Sequence, residues 1–421
     1  MHILFLTQII PYPPDAGPKV KTWHVLRYLA DLGHQITLVS FMRPEEARYV
    51  DALRQVCTTL YTVPIRRSRV ADLGYWLRSH WTGRPFLVER DDSTEMRKLI
   101  QKIVATEAVD FIHADQLTMA QFALPPHFAS GNPESSPQNW PALIFDAHNA
   151  VWTILDRMVQ NMPWFIRPVV ALESHRVKDY EGMIIREFDH TLAVTEIDNQ
   201  ALRQAVAGRN GTSPSMEDKI TVVPIAVNTS QLLPVQRQPG STNILTLGTL
   251  HYPPNADGIR WFLNEVFPLV RQKVPNATLT IIGKNPPQDF LQAASQTPDA
   301  IQVTGYVPEL DEYMQQAAIV VVPVRAGGGM RVRILEAFSR AMPVVTTTIG
   351  LEGIDALPDR DVLVKDTEKD FAEAVIQLLL DETLQARLAS NGRQFVEKQY
   401  DWQVILGKME DVYQKTRKSR V

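Results

Sequence analysis

The sequence predicts an α/β protein built from two doubly wound domains, each with a parallel sheet covered by helices on both faces. Short apolar strands alternate with helical segments in both halves of the chain, a pattern typical of parallel sheets. A polar connector, residues 227–242, separates the two halves. With 421 residues, the chain is long enough for two domains that each bury a core.

The first half begins with a predicted strand at residues 3–7, a proline-containing loop and a helix over residues 18–32. Pro18 at the helix start and Gly33 just past its end are the residues that these positions favour. The polar stretch 129–139 is interpreted as a surface loop within this domain. Further strands are expected at residues 35–40, 60–63, 111–113, 142–145 and 191–195.

The second half repeats the alternation. Strands are predicted at residues 243–248, 278–283, 301–305, 319–324 and 343–347, with helices at 257–270 and 330–341. Residues 402–413 carry an apolar stripe of about four helical turns, and such a stripe needs a partner. We therefore expect an N-terminal domain over residues 1–228, a second domain over 229–400 and a C-terminal helix, 401–421, that packs on the first domain.

The composition is that of an ordinary soluble protein. The net charge of −4 is not the basic footprint of a nucleic-acid-binding protein, so no nucleic acid partner is expected. Cys57 is the only cysteine, which excludes an intramolecular disulfide and a structural zinc site of several thiolates. The N-terminus reads as a strand rather than a signal peptide. No apolar run approaches the ~18 residues of a spanning helix. These features predict a cytoplasmic protein, with peripheral attachment to the inner face of the membrane left open.

The most informative segment is a strand, a glycine run and a helix between residues 319 and 341. Backbone N–H groups at the start of such a helix bind anions. Arg331 and Arg333 fall in its first turn, where cations oppose the helix dipole at a cost of about 0.3–1 kcal/mol each. Two arginines beside three glycines are therefore expected to hold an external group with several negative charges, and a nucleotide diphosphate fits.

Four segments together resemble the retaining, family-4 type glycosyltransferases of the GT-B fold, over nearly the whole chain. They are Pro11-Tyr12-Pro13-Pro14-Asp15-Ala16-Gly17, Phe145-Asp146-Ala147-His148-Asn149, the run from Leu247 to Phe262, and the run from Gly327 to Gly353. The third is very similar to a subgroup of polysaccharide-type sugar transferases. The resemblance implies two Rossmann-like domains facing a central cleft, with the C-terminal helix returning to the first.

The resemblance also implies a reaction. A hexosyl group would move from a nucleotide diphosphate sugar to a glycan or lipid-linked acceptor hydroxyl, with retention of configuration, without a metal or cofactor, in polysaccharide or glycolipid synthesis. The implied catalytic residues are His148, Arg331, Arg333 and Glu336, with Glu336 on the ribose hydroxyls. Two further substrate-binding residues are predicted from their positions, Asp115 directly after a strand and Gly17 at the start of the first helix. The remaining predicted substrate-binding residues are Gly248, Tyr306, Val307, Arg325, Gly327, Gly328, Gly329 and Met330.

The sequence departs from the commonest family pattern at two places. Gly328 stands where the first glutamate of the Glu-x7-Glu motif would fall, and Thr249 and Pro254 replace an Arg…Lys pair. We expect backbone N–H groups of the glycine run to replace the glutamate. Arg331 and Arg333, together with Arg325, would supply the missing positive charge. The departures leave the donor sugar open.

Structural interpretations compete with these roles. The glycine run could be a turn beside solvated arginines, and Glu336 could form an i,i+3 ion pair with Arg333.

Residues 66–84 mix arginines and tryptophans, which suits a membrane interface with anionic headgroups. The alternative for this segment is a solvated helix whose tryptophans cover the core. The arginines and tryptophans of this segment are Arg66, Arg67, Arg69, Trp76, Arg78, Trp81 and Arg84.

Other functions on the same fold remain alternatives, because a fold does not fix its chemistry. A sugar-nucleotide epimerase or a phosphorylase is one class, although no motif indicates a pyridoxal lysine. A non-catalytic nucleotide-sugar binder is another, motivated by Gly328. A nicotinamide dehydrogenase is disfavoured, since no Gly-x-Gly-x-x-Gly follows the first strand.

Overall fold

The computed structural model describes residues 1–14, 17–65, 67–130, 139–160, 162–207 and 219–420. Asp15, Ala16 and Arg66, which belong to segments discussed above, lie outside the described residues. The chain divides into two compact units, Met1–Pro224 with Leu406–Val421, and Ile225–Ile405. These divisions fall a few residues from the domain boundaries expected from the sequence.

The first unit contains a parallel sheet of seven strands in the order β3-β2-β1-β4-β5-β6-β7. The central strands β1, β4 and β5 are buried along their whole length, as expected when helices cover both faces. The strand order reverses at β1, which pairs with β2 on one side and β4 on the other. The bounds are β1 His2–Thr7, β2 Gln35–Met42, β3 Thr59–Pro64, β4 Phe111–Asp115, β5 Ala142–Ala147, β6 His190–Ala193 and β7 Ile220–Val222.

Helices connect these strands, and a 3-10 helix spans Pro44–Tyr49. Side-chain caps define several starts: the Ser68 hydroxyl accepts a hydrogen bond from the backbone of Ala71 at 3.1 Å where α3 begins. Gly83, with φ of 72°, ends the same helix. The helices are α1 Gly17–Asp31, α2 Val50–Arg54, α3 Arg69–Thr82, α4 Phe86–Arg90, α5 Thr94–Thr106, α6 Leu117–Ala123, α7 His127–Ser130, α8 Val151–Gln160, α9 Arg167–Glu187 and α10 Glu196–Ala207.

The second unit contains a parallel sheet of six strands in the order β10-β9-β8-β11-β12-β13, the order of a nucleotide-binding Rossmann domain. Its strands are β8 Asn243–Leu247, β9 Thr278–Ile282, β10 Ile301–Gly305, β11 Ala317–Val322, β12 Val344–Thr346 and β13 Leu363–Val364. Its helices are α11 Pro253–Trp261, α12 Phe267–Lys273, α13 Gln288–Gln296, α14 Asp311–Gln316, α15 Val332–Ser339, α16 Thr348–Leu351, α17 Glu368–Leu380 and α18 Glu382–Gln399.

Several predicted bounds shift for reasons visible in the chain. The strand expected at residues 319–324 is Ala317–Val322, since Pro323 cannot donate to the sheet. The helix expected at 257–270 begins at Pro253 and passes through a π-helical turn, Phe262–Val266, just before Pro268. Pro268 has no N–H to continue the α-helical ladder, which accounts for the wider turn.

The last helix, α19 Trp402–Arg420, packs its C-terminal part on the sheet of the first unit. Tyr413 is fully buried, with its ring edge-on to Phe111 at 5.0 Å between centroids. Arg420 forms an ion pair with Asp189 at 2.8 Å. The predicted return of the C-terminal helix to the first sheet is therefore confirmed. Among the described residues, none of the helices is both long and apolar enough to span a bilayer.

Candidate active site

Two predicted site residues of the first unit meet at the carboxyl edge of its sheet. Asp115 ends β4, and His148 follows the adjacent strand β5. His148 Nε2 lies 2.7 Å from Asp115 Oδ1, and the hydroxyl of Thr22 donates to Asp115 Oδ2 at 3.0 Å. Asp115 thus fixes the orientation of the imidazole. Gly17, a further predicted contact, is the first residue of α1, the helix that carries Thr22.

A buried charge network beneath this edge was missed by the sequence analysis. Lys21 and Asp146 form an ion pair with both side chains about 98% or more removed from solvent. His113 Nε2 lies 3.5 Å from Asp146 Oδ2, and its Nδ1 is 2.6 Å from the hydroxyl of Tyr413. Burial opposes ionisation of Asp146, but the charge of Lys21 and the neighbouring His113 outweigh it and hold the pKa of that carboxyl well below its usual range.

This network does not fit a divalent cation. Atoms of His113, Asp115 and Asp146 that could ligate a metal lie within 4.8 Å of one another. The ammonium of Lys21 already neutralises Asp146, however, and Asp115 already accepts from two partners. A metal ion here would face the lysine charge directly. The cluster is therefore a positioning network for the sheet edge and α1.

In the second unit, the glycine run forms a turn with open backbone donors. Gly327 and Gly329 adopt φ angles of 92° and 86°, which L side chains rarely tolerate. Arg331 Nη1 donates to the carbonyls of Gly328 and Gly329 at 2.6 and 2.5 Å. The N–H groups of the three glycines find no acceptor among the described residues. Because the carbonyls of the turn accept from Arg331 while its N–H groups stay available as donors, the turn is suited to bind an anion. Met330 is buried, which leaves only its backbone to serve as the predicted contact.

Arg333 connects this turn to the loop that follows β8. Its Nη1 donates to the carbonyl of Leu247 at 3.0 Å, and its Nη2 donates to Asn255 Oδ1 at 2.7 Å. Asn255 in turn donates to Thr249 O at 3.2 Å. A Cβ added at Gly248 would overlap Arg333 Nη1, so a larger residue here would displace that guanidinium. Asn255 lies in the run from Leu247 to Phe262 but was assigned no role from the sequence, because its partner Arg333 is 78 residues away.

The charge of Arg333 has no carboxylate within 4.0 Å among the described residues, and its buried Nε lacks a hydrogen-bond acceptor there. Burial, together with the charge of Arg331, lowers the pKa of Arg333 to about 10, while Glu336 partly offsets the effect. The guanidinium is still protonated at neutral pH. A partly buried cation of this kind is stabilised when an external anion binds.

Glu336 lies one turn further along α15 and is partly buried. Its carboxylate forms no ion pair with Arg333 within 4.0 Å, so the i,i+3 pair considered above does not form. Burial raises the pKa of Glu336, and the charges of Arg340 and Arg333 oppose the rise. The carboxylate accepts no hydrogen bond from the described residues. It is thus open to a hydroxyl donor.

The other predicted contacts of this unit surround the same sheet edge. Arg325 stacks on Trp261, with its guanidinium carbon 5.2 Å from the ring centroid. Tyr306 is exposed in the loop after β10, next to Val307, and Lys284 Nζ lies 4.3 Å from its ring centroid. Lys284 was missed, although its place directly after β9 and Gly283 was a usable signal. Lys284 adds a cation at this edge of the sheet, where Thr249 and Pro254 replace the Arg…Lys pair of the commonest family pattern.

Comparisons with known proteins fit this geometry. Residues 241–381, which contain the glycine turn, Arg333 and Glu336, match the family model described as glycosyl transferases group 1. An uncharacterized 44.6 kDa protein in the cps region of Klebsiella pneumoniae is 30% identical over 165 residues, 38% of this chain and 42% of that protein. Glycogen synthase of Mycobacterium tuberculosis is 26% identical over 256 residues, 59% of this chain and 57% of the enzyme. The chain thus spans about half the length of these curated relatives.

The solved structures decide the fold. The crystal structure of Anabaena Alr3699/HepE in complex with UDP aligns with 99% of this chain and 100% of its own, with a TM-score of 0.69 and 14% identity. The chain has the GT-B fold. The predicted fold class is confirmed, and the region that matches the glycosyl transferases group 1 model lies within the second unit.

Proposed function

We propose that this GT-B protein transfers a glycosyl group from a nucleotide diphosphate sugar to an acceptor hydroxyl. One observation carries the proposal: among the described residues the N–H groups of the glycine turn find no acceptor, and Arg333 beside them is a partly buried cation with no carboxylate within 4.0 Å. Such a site is built for a group with several negative charges. The family match over residues 241–381 and the UDP in the HepE crystal structure support a nucleotide diphosphate as that group.

The site supports catalysis through the leaving group. When the bond between the sugar C1 and the diphosphate oxygen breaks, the electron pair leaves with that oxygen. Fixed N–H groups and the charges of Arg331 and Arg333 would stabilise the new negative charge. Both arginines are in place before the donor arrives, since each is held by carbonyl oxygens. We propose that these charges replace a divalent cation and that the reaction needs neither a metal nor a cofactor.

We propose that the transfer retains the anomeric configuration. The acceptor oxygen would attack C1 from the face that the diphosphate leaves, and its proton would pass to the departing diphosphate oxygen. The resemblance of the motifs to retaining family-4 type enzymes supports this course. It also supports a hexosyl donor, whose sugar and base stay open.

Glu336 is proposed to accept hydrogen bonds from the ribose hydroxyls. Its carboxylate is partly buried, unpaired with Arg333 and without a hydrogen-bond donor among the described residues. A donor ribose would satisfy it. Tyr306 and Val307, in the loop after β10, would hold the base through their backbone.

In the first domain, His148 is proposed to contact the transferred sugar. Asp115 holds its Nε2, which leaves Nδ1 for a substrate hydroxyl. The names of the relatives, a protein of a cps region and a glycogen synthase, support a glycan or lipid-linked acceptor in polysaccharide synthesis. We propose a cytoplasmic protein that works at the inner face of the membrane.

The test measures binding and turnover separately. Purified protein is mixed with UDP, GDP, ADP and their common sugar conjugates, with EDTA present, and its melting temperature is recorded. A ligand at a hundred times its Kd stabilises the fold by about 2.7 kcal/mol. We expect one nucleotide class to raise the melting temperature, with the shift reduced in Glu336→Gln and unchanged in Glu373→Gln, which alters an exposed glutamate of α17.

Turnover is then followed with the bound donor, with and without a glycan or lipid-linked acceptor extract. Release of the nucleotide diphosphate that depends on acceptor supports the transferase. Conversion of the donor sugar without acceptor would instead identify an epimerase, and binding with no turnover would favour a non-catalytic binder. No shift with any nucleotide would overturn the assignment of the glycine turn.

A further inference from the structure

Three aromatic side chains gather at the carboxyl edge of the first sheet. Tyr12 lies in the loop after β1, Trp23 in the second turn of α1, and Tyr49 at the end of the 3-10 helix that follows β2. The ring centroids of Tyr12 and Trp23 are 5.0 Å apart, and those of Tyr12 and Tyr49 are 6.0 Å apart. We call these three residues the aromatic platform.

The platform is not part of the buried core. Each of its three residues keeps an intermediate exposure to solvent. On α1, the neighbouring Thr22 and Val25 are buried against the sheet, whereas Trp23 lies at the margin of that buried face. Packing of α1 on the sheet therefore does not account for the indole.

The polar atoms of the platform are available to a ligand. Among the described residues, neither the hydroxyls of Tyr12 and Tyr49 nor the indole N–H of Trp23 has a hydrogen-bond partner, and none of the three atoms is buried. Trp140 in the same domain differs, since its indole N–H donates to the carbonyl of Ala123 at 2.9 Å. An indole that serves packing alone is tied to the backbone in this way, and Trp23 is not.

The chemistry of this surface fits a sugar ring. A hexopyranose has a face of C–H groups that packs on an aromatic ring, and a rim of hydroxyls that pairs with the polar ends of Tyr and Trp. Arg48, whose guanidinium carbon lies 4.8 Å from the Tyr49 ring centroid, adds donors beside the platform. A lipid chain would cover the rings but would leave their polar atoms without partners, which costs free energy.

The platform lies beside the pair that contains the predicted catalytic histidine. Thr22, which precedes Trp23, donates to Asp115 at 3.0 Å, and Asp115 holds His148. Strands β1 and β2, which lead into the loops of the platform, lie two and three positions from β5 in the sheet. At about 4.8 Å per position, the platform is about 10–15 Å from the end of β5. This distance exceeds the width of one hexose ring.

We propose that the aromatic platform binds a sugar of the acceptor that lies one or two units from the reacting sugar, so that the acceptor is a glycan chain. The proposal rests on the proposed transferase function and narrows its acceptor. A single sugar would reach His148 and leave the platform empty. A lipid-linked acceptor would have to carry at least one further sugar between its reacting end and the lipid.

The experiment titrates the full chain with sugars of increasing length and follows binding by saturation-transfer NMR. The probes are the methyl glycosides of glucose, galactose and mannose, together with di- to tetrasaccharides of the same sugars. In at least one series, the Kd should fall about tenfold or more between the methyl glycoside and the trisaccharide, since only the longer probe reaches the platform. Saturation should be transferred to the C–H protons of one ring face.

Two substitutions remove the platform rings. Trp23→Leu and Tyr12→Leu should each weaken trisaccharide binding about tenfold and leave binding of the methyl glycoside unchanged. Tyr12→Phe keeps the ring and should lose less affinity than Tyr12→Leu. If Trp23→Leu does not fold, the comparison of Tyr12→Leu with Tyr12→Phe decides alone.

Trp81→Leu is the matched control and should bind every probe like the wild type. Trp81 is 94% exposed and belongs to an apolar stripe of α3, with Val70, Leu73 and Leu77, that faces solvent. The alternative in which the tryptophans of this segment cover the core is therefore wrong for Trp81.

Three results would overturn the proposal: no binding of any oligosaccharide, equal Kd values for methyl glycosides and trisaccharides, or equal trisaccharide binding by the wild type and the platform variants. The nucleotide thermal shift separates this failure from failure of the transferase. A nucleotide shift without oligosaccharide binding overturns the platform alone. Oligosaccharide binding at the platform without any nucleotide shift overturns the transferase and leaves a glycan-binding site.

Discussion

Replacing Lys21 by methionine should strongly destabilise the N-terminal domain at neutral pH. Lys21 and Asp146 are nearly inaccessible to solvent and form an ion pair. Methionine keeps the volume of the lysine stem but leaves the Asp146 charge buried, with His113 3.5 Å from its second oxygen. Breaking a buried pair in this way costs about 3–5 kcal/mol. At about 2–4 °C per kcal/mol for a domain of this size, the melting temperature should fall by about 6–20 °C.

The pH dependence gives this prediction a second, independent readout. In the wild type the pKa of Asp146 is depressed, so its contribution is present above the unfolded pKa near 3.9 and is lost as pH falls through the folded value. Without Lys21, burial dominates and the pKa of Asp146 rises above its ordinary value. The destabilisation by Lys21→Met should therefore be largest at pH 7 and shrink as the pH is lowered towards 5.

Differential scanning calorimetry between pH 5 and pH 8 measures both effects, because it separates transitions of two domains. Lys98→Met, at an exposed lysine of α5, is the control and should leave the melting temperature unchanged. Adding Asp146→Asn to Lys21→Met should recover part of the loss, since the buried charge is removed. If Lys21→Met melts within 2 °C of the wild type at pH 7, or if its deficit is independent of pH, the reasoning about the buried pair is refuted.

Three further predictions concern the proposed site. Gly248→Ala should displace the Arg333 guanidinium and weaken nucleotide affinity by about 1.5–3 kcal/mol, the value of a hydrogen bond to a charged group. Gly74→Ala, at a position with open space for a Cβ, should leave the affinity unchanged. Isothermal titration measures both variants, and equal affinities would contradict the role of Arg333. Thr22→Val should lower kcat about tenfold or less with little change in donor affinity, because it removes one hydrogen bond that orients Asp115 and His148; a changed donor Kd with normal kcat would argue against this role. Donor affinity should fall as the pH is lowered, because only the ionised Glu336 carboxylate accepts hydrogen bonds from the ribose. Since burial raises the pKa of Glu336, this fall should begin at a higher pH than the pKa of an exposed glutamate would give, and it should be absent in Glu336→Gln.

Most strands of the two sheets could be predicted from the sequence because they are apolar runs at regular spacing. The described strands β1, β2, β5, β8, β9 and β10 lie within a few residues of the predicted ones. Two edge strands, β7 and β13, were missed, because strands of three and two residues carry too little alternation to be recognised. Neither of these edge strands carries a predicted site residue.

Local sequence also revealed the anion site, since a glycine run between a buried strand and a helix is contiguous in the chain. The partners of its arginines were not visible. Arg333 donates to Leu247, 86 residues away, and this contact exists only because β8 and β11 are neighbours at the point where the strand order reverses. The sequence suggested that Arg333 serves the phosphates alone, whereas the structure also ties it to the loop after β8.

The sequence by itself determined the fold class, the order of the strands along the chain and the residues that directly follow the carboxyl end of each strand. These properties depend on short-range periodicity and on the backbone preferences of glycine and proline. Only the tertiary structure decided that Lys21 pairs with Asp146, 125 residues away, and that the apolar stripe of α3 faces solvent. Burial and pairing depend on which elements pack together, and the periodicity of one helix does not say which of its faces is covered.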